Sequence, residues 1–83
     1  MSNDSLPEVP VARLPIRLGQ FLKLVAIAEG GGEAAALIAA GLVTVNGVVE
    51  NRRGRKLVAG DEIAIGEERW RLAAEPEEGE EGA

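Results

Sequence analysis

The residues best suited to chemistry in this sequence are the cations of one short segment. Residues 52–56 hold three arginines and a lysine around a single glycine: Arg52, Arg53, Gly54, Arg55 and Lys56. Guanidinium groups donate a planar fork of hydrogen bonds that fits phosphate oxygens, and an ammonium group adds a compact positive charge. The glycine leaves the backbone free to bend and gives a phosphate room to approach. We therefore predict that this segment, the basic loop, binds phosphate; the alternative is a solvated turn rich in charge.

The sequence is poorly equipped for catalysis. It contains no cysteine, histidine or tyrosine, and its two serines, Ser2 and Ser5, lie in the N-terminal segment. Thr44 falls in a predicted strand and has no neighbouring base that could activate its hydroxyl. No group of carboxylates has the spacing of metal ligands. We expect no enzymatic activity, no metal site and no cofactor.

The net charge of -5 is unevenly distributed, and the central part of the chain is positive. Residues 13–71 carry all nine basic residues and seven acidic ones, whereas the two ends of the chain carry acidic residues only. The acidic balance therefore does not argue against a nucleic acid partner for the centre. The lack of cysteine fits a reducing compartment, and no apolar run approaches the roughly 18 residues that span a membrane. We expect a cytoplasmic protein that does not bind membranes.

Both ends of the chain are predicted to lie outside the folded core. Residues 1–14 carry Pro7 and Pro10 among polar and small residues, and each proline removes a hydrogen-bond donor and restricts its predecessor. The last ten residues have almost no apolar surface to offset the entropy of ordering. We predict a flexible N-terminal arm over residues 1–14, a folded domain over residues 15–73 and a disordered acidic tail over residues 74–83.

The elements that position the basic loop begin with two helices. Apolar residues at three- and four-residue spacing predict the first, over residues 17–28; they are Leu18, Phe21, Leu22, Val25 and Ala28. Three glycines, residues 30–32, end this helix. The second helix has Glu33 in its first turn, where a negative charge suits the helix dipole, and Gly41 as its left-handed cap.

Short strands follow the helices. Alternating or β-branched residues predict them at these places: residues 42–45, 48–50, 57–58, 62–65 and 69–72. Asn46-Gly47 predicts a tight hairpin turn, because both residues tolerate positive φ. Phe21 is expected in the core, and Trp70 in the core or at its rim. The fold class is α+β, with an αα-hairpin packed on a small, mostly antiparallel sheet of about four short strands.

Residues 17–61 resemble the S4 RNA-binding domain, and more closely the small stand-alone S4-like proteins of bacteria. The resemblance covers just over half of the chain and rests on an ordered set of motifs: Arg17-Leu18, Ala34 with Leu37-Ile38, Gly41-x-Val43-x-Val45-Asn46-Gly47, and Gly60-Asp61. It implies an S4-like fold of the αL type. It also implies that the first helices and the adjacent β loop bind structured RNA, often ribosomal or transfer RNA.

Helix two departs from the usual S4 pattern. The Ser-Arg pair that opens this helix in S4 domains, and a further Arg within it, are replaced here by Gly30-Gly31 and Ala35. The basic loop must then supply most of the positive charge, extended by two cations of helix one. The candidate RNA-binding residues are Arg17, Lys23, Arg52, Arg53, Arg55 and Lys56.

We expect a monomeric module that binds the phosphate backbone of structured RNA in translation or RNA metabolism, with a ribonucleoprotein as a further partner. The sequence has one Phe, one Trp and no Tyr, which are too few aromatic residues for a multi-aromatic platform that stacks bases. An alternative from another class stays open. With an uncharged second helix, the domain could act as an adaptor that binds a protein instead of RNA.

Overall fold

The computed structural model describes residues 6–75. Along them lie β1 (Glu8–Val11), β2 (Ile16–Arg17), α1 (Leu18–Leu24), α2 (Gly31–Ala39), β3 (Val43–Val45), β4 (Val48–Val49), β5 (Lys56–Leu57), β6 (Glu62–Ile65) and β7 (Glu68–Ala74). Residues 1–5 of the predicted arm and residues 76–83 of the predicted acidic tail lie outside the described residues. Among residues 6–75, neither helix has the length and hydrophobicity that spanning a bilayer requires.

The strands form two sheets. Five of them lie in the order β1-β7-β6-β3-β4, and β2 pairs with β5 in a separate two-stranded ribbon. Only the β1–β7 pair is parallel among these strands, and every other pair is antiparallel. The predicted α+β class, with an αα-hairpin on a mostly antiparallel sheet, is confirmed.

The first helix is shorter than its apolar spacing predicts. It ends at Leu24 instead of residue 28, because Ala26 adopts a left-handed φ of 64°. The N–H groups of Ile27 and Ala28 both donate to the carbonyl of Leu22, at 3.0 and 3.2 Å, and close the helix in a tight turn. Ala28 is nevertheless buried. The spacing therefore identifies residues that face the core, although the last of them leave the helix.

The second helix begins within the glycine run instead of after it. Gly30 is the extended N-cap residue and the next two glycines form the first turn, where Glu33 lies as predicted. The Glu33 carboxylate accepts a hydrogen bond from the N–H of Glu29 at 3.0 Å. At the other end Gly41, with a φ of 78°, provides the predicted left-handed cap. The short link folds α2 back against α1.

The Asn46-Gly47 turn joins β3 to β4, with the positive φ values of 54° and 85° that a two-residue hairpin requires. The Asn46 amide donates to the Asp61 carboxylate at 3.0 Å, and its oxygen accepts the N–H of Glu62 at 2.9 Å. The Asp61 carboxylate also accepts the N–H of Val58 at 2.9 Å. The Asn-Gly and Gly-Asp motifs, which are separate in sequence, therefore form one hydrogen-bonded unit.

The core lies between the two helices and the five-stranded sheet. Its largest fully buried side chains are Phe21, Leu18, Leu22, Ile38, Leu57, Ile63, Leu72 and Val43. Phe21 meets Trp70 edge to face, with ring centroids 5.9 Å apart and planes at 78°. Trp70 is only 9% exposed. Both aromatic residues of the sequence are therefore committed to the core.

The prediction for the N-terminal arm is wrong at residues 8–11. These residues form β1, which pairs with β7 from Glu8 opposite Arg71 to Val11 opposite Ala74. Pro10 is tolerated because β1 is an edge strand, where a missing N–H need not break a ladder. The main sheet therefore has five strands instead of about four, β7 continues to Ala74, and the folded part begins before residue 15.

Deleting residues 1–11 should destabilise the domain, because it removes β1, its hydrogen bonds to β7 and the buried side chain of Val11. At about 0.5–1.5 kcal/mol for each hydrogen bond and about 1.5–3 kcal/mol for the valine, we expect a loss of about 3 kcal/mol. Urea unfolding followed by Trp70 fluorescence measures this loss. Deleting residues 1–5, which leaves β1 intact, is the control for shortening the chain and should cost less stability than the longer deletion. An unchanged midpoint for the longer deletion would contradict a structural role for β1.

Candidate nucleic-acid interface

Glu50 divides the cations of the basic loop into two groups. It follows β4, is 7% exposed and is the one buried charged residue among residues 6–75. Arg52 donates from Nε to one carboxylate oxygen at 2.9 Å, and Arg55 donates from Nη1 to the other at 2.8 Å. The backbone N–H of Arg52 also donates to this carboxylate, at 3.1 Å. Two of the four predicted phosphate ligands therefore hold the shape of the loop.

These hydrogen bonds lower the pKa of the Glu50 carboxyl to about 2. The side-chain hydrogen bond from Arg52 is the largest cause and that from Arg55 the next, while desolvation acts in the opposite direction. Glu50 in turn raises the pKa of Arg52. The Arg52 side chain remains 72% exposed and that of Arg55 only 32%. Arg52 can thus still present donors to a ligand, whereas Arg55 is largely committed to Glu50.

Three other cations line a depression formed by α1, the start of α2 and the basic loop. We call it the basic depression, and its volume is about 270 Å³. Its lining residues are Arg17, Gly19, Gln20, Lys23, Gly31, Ala34, Arg53 and Gly54. None of these residues is a carboxylate, and three are glycines. The depression therefore offers positive charge with little steric obstruction, which suits a phosphate group.

Backbone hydrogen bonds fasten the basic loop to the start of α1. The N–H of Leu18 donates to the carbonyl of Arg55 at 2.8 Å, and the N–H of Gly19 donates to the carbonyl of Arg53 at 2.9 Å. A Cβ at Gly19 would lie 3.6 Å from the Cβ of Arg53, so the loop runs directly against the helix. The first turn of α1 therefore fixes where Arg53 lies relative to the cations of the helix.

The structure places the six predicted RNA-binding residues in three settings. Arg17, Lys23 and Arg53 come together around the basic depression. Arg52 and Arg55 bind Glu50. Lys56 is exposed on β5 and lies opposite Arg17 in the β2–β5 ribbon. The predicted loop thus contributes one side chain to the depression, and the two cations predicted near helix one contribute the others.

Reasoning from the sequence missed two polar residues of this region. Glu50 lies two residues before Arg52, and a carboxylate so close to a run of arginines is a signal that could have revealed the ion pairs. Gln20 accepts the N–H of Arg17 at 3.3 Å and lines the depression, but no pattern in the sequence marks it. Within residues 6–75 there is no group of three His, Cys, Asp or Glu side chains that could hold a metal ion.

Stability should fall in acid as Glu50 takes up a proton. Its pKa is about 2 in the fold against an ordinary value of 4.5, so the stabilisation is complete above about pH 4.5 and is lost as the pH falls towards 2. We expect wild type to unfold at a lower temperature at about pH 3 than at pH 7, and Glu50→Gln to lose less over this range. Glu68→Gln, at an exposed position, should keep the wild-type acid sensitivity. Equal sensitivity of Glu50→Gln and wild type would refute this role for Glu50.

Comparisons with known proteins point to one family. The family model of the S4 domain matches residues 9–73. The probable ribosome maturation protein RlbA of Bacillus subtilis (strain 168) is 48% identical over 50 residues, which are 60% of this chain and 70% of that protein. The solution structure of YbcJ from E. coli, described as revealing an αL motif involved in RNA binding, matches with a TM-score of 0.64 and 29% identity, over 89% of this chain and 95% of the other. The predicted resemblance is confirmed, and the protein belongs to the S4 domain family.

Proposed function

We propose that this protein binds the phosphate backbone of structured RNA through the basic depression. The observation that carries the proposal is the convergence of Arg17, Lys23 and Arg53 on one concave surface that no carboxylate lines. A concave surface lined by charges of one sign concentrates the electrostatic field where a ligand enters. Because these residues come from β2, α1 and the basic loop, the folded domain is needed to assemble the site.

Two relatives support RNA as the ligand and a ribosome-related process as the setting. The B. subtilis relative is a probable ribosome maturation protein, and the E. coli relative has a motif involved in RNA binding. Ribosomal RNA is therefore the first candidate, and transfer RNA is the second. Both present folded phosphate backbones to a shallow, positively charged surface.

The contact is expected to read phosphate positions and RNA shape instead of base sequence. Phe21 and Trp70 are the only aromatic residues of the chain, and both lie in the core. Aromatic stacking, on which several RNA-binding domains depend, is therefore excluded. The remaining contacts are charge-assisted hydrogen bonds to phosphate, which position a protein on RNA but carry little sequence information.

The net charge of -5 does not prevent RNA binding at a local cluster of cations. At physiological ionic strength charges are screened over about 8 Å, so the RNA responds to the local cations more than to the total charge. Binding through a few phosphates is weakened steeply by salt. Weak, salt-sensitive binding of this kind suits a protein that docks on a larger ribonucleoprotein particle, where other contacts also contribute to the affinity.

An adaptor that binds a protein is the second candidate. Val48 and Val49 form the edge strand β4 and are 69% and 53% exposed. An exposed apolar edge strand can pair with a strand of another protein. Recovery of the same protein partner before and after nuclease treatment would favour the adaptor over RNA binding.

Replacing Arg17, Lys23 and Arg53 together by alanine should weaken RNA binding and reduce its salt dependence. Each phosphate contact contributes about 0.7–0.9 to the slope of log affinity against log salt, so the slope should become shallower by about 2–3. Filter binding with purified ribosomal RNA and transfer RNA as separate probes measures the effect. Arg69→Ala, an exposed cation outside the depression, is the control. An unaltered slope in the triple variant would rule out the proposed site.

Arg53→Ala and Arg55→Ala should separate binding from stability. Arg53 lines the depression, so its loss should weaken RNA binding and leave the urea midpoint close to that of wild type. Arg55→Ala removes one of the two partners of the buried Glu50 carboxylate and should lower the midpoint. Paired measurements of RNA affinity and unfolding distinguish the two effects. Identical changes in both variants would contradict the division of the basic loop.

A further inference from the structure

A second depression adjoins the basic depression along the exposed side of α1. Its volume is about 880 Å³, and it shares Gln20 and Lys23 with the basic depression. Its other lining residues include Arg13 of the β1–β2 connection and Leu24 at the end of α1. Gln20 lies three and four residues before Lys23 and Leu24, so these exposed side chains are neighbours on one helical face. They form a continuous stripe from one depression to the other.

We infer that the two depressions form a single groove for two consecutive, unpaired nucleotides of the RNA. The inference rests on the proposed function, because the basic depression supplies the first phosphate site. Lys23 lines both depressions and can therefore neutralise a phosphate at their junction. Arg13, which no pattern in the sequence assigns to RNA binding, provides the cation for the second nucleotide.

The chemistry of the second depression fits a nucleotide. Arg13 and Lys23 are exposed cations, while Leu24 is an apolar side chain that is 53% exposed to water. Pro15 and Ile16 add further apolar surface to the same depression. A nucleotide combines an anionic phosphate with the flat apolar faces of a base, so it can use both kinds of surface. Aliphatic side chains contact every base in a similar way, which makes the site tolerant of sequence.

The need for an unpaired strand follows from the position of Leu24 on the protein surface. In an A-form duplex the flat faces of the bases are stacked on one another, and the wide minor groove exposes only base edges and 2′-hydroxyls. A base can lie against Leu24 only where it is turned out of a helix, as in a loop, a bulge or a strand end. The groove therefore favours RNA that contains an unpaired segment.

One carboxylate of the second depression is expected to oppose RNA binding. Glu75 lines the second depression, and its N–H donates to the carbonyl of Val11 at 3.1 Å, directly after β7. A negative charge at this place repels a phosphate in the groove. Removal of the charge should therefore strengthen RNA binding, whereas removal of a carboxylate elsewhere on the surface should not.

The test compares two RNA hairpins, one fully paired and one that carries a two-nucleotide bulge. A model hairpin suffices because phosphate binding does not depend on sequence. The wild-type protein should bind the bulged hairpin about fivefold more tightly, and Leu24→Ser should abolish this preference. Arg13→Ala should make the salt dependence for the bulged hairpin shallower by about 0.7, and Glu75→Gln should increase the affinity.

Matched controls separate the groove from general surface effects. Leu42 is 52% exposed and lies outside both depressions, so Leu42→Ser controls for Leu24→Ser. Glu68→Gln controls for Glu75→Gln. The inference is overturned, and the proposed function left intact, if wild type binds both hairpins equally or if the preference survives Leu24→Ser. It is also overturned if Arg13→Ala leaves the salt dependence unchanged, if Glu75→Gln has no more effect than Glu68→Gln, or if Leu42→Ser acts as Leu24→Ser does. If wild type binds neither hairpin, both the inference and the proposed function are overturned.

Discussion

Two hydrogen bonds between the start of α1 and the basic loop determine where the cations of the site lie. Every α-helix begins with N–H groups that have no partner inside the helix. In α1 the N–H groups of Leu18 and Gly19 donate to carbonyls of the basic loop, so the loop serves as the cap of the helix. The same contact brings Arg53 to the face on which the helix carries its own cations. The candidate site therefore depends on the folded start of the helix.

The buried carboxylate of Glu50 reduces the electrostatic repulsion among the cations of this loop. Four positive charges within five residues repel one another, and a loop with no fixed shape would spread them into solvent. Glu50 offsets part of the repulsion and fixes Arg52 and Arg55 by direct hydrogen bonds. Arg53 lies between them and has no carboxylate partner among the described residues. The loop thus holds its shape with two cations and leaves a third available.

The features that the sequence predicts well are those with local causes. Asn46 and Gly41 adopt the positive φ that their residue types suggest, and the apolar spacing of α1 identifies its buried face. β1 could not be predicted in this way, because its partner β7 lies at the far end of the domain and prolines obscure its pattern. The candidate site was proposed from the sequence as a set of cations, and its role in RNA binding stays a prediction. Which of these cations bind Glu50 and which line the depression depends on the burial of Glu50 and the path of the loop. Only the fold determines both.

The parallel β1–β7 pair also determines how the domain responds to mechanical force. Glu8 lies beside Arg71 and Val11 beside Ala74, so the chain enters β1 at one end of the pair and leaves β7 at the other. Tension between the two ends of the chain therefore acts along the strands and shears all of their hydrogen bonds together, instead of opening them one after another. A domain stretched between its two ends would therefore resist most strongly at the outset, at an edge strand that contains a proline.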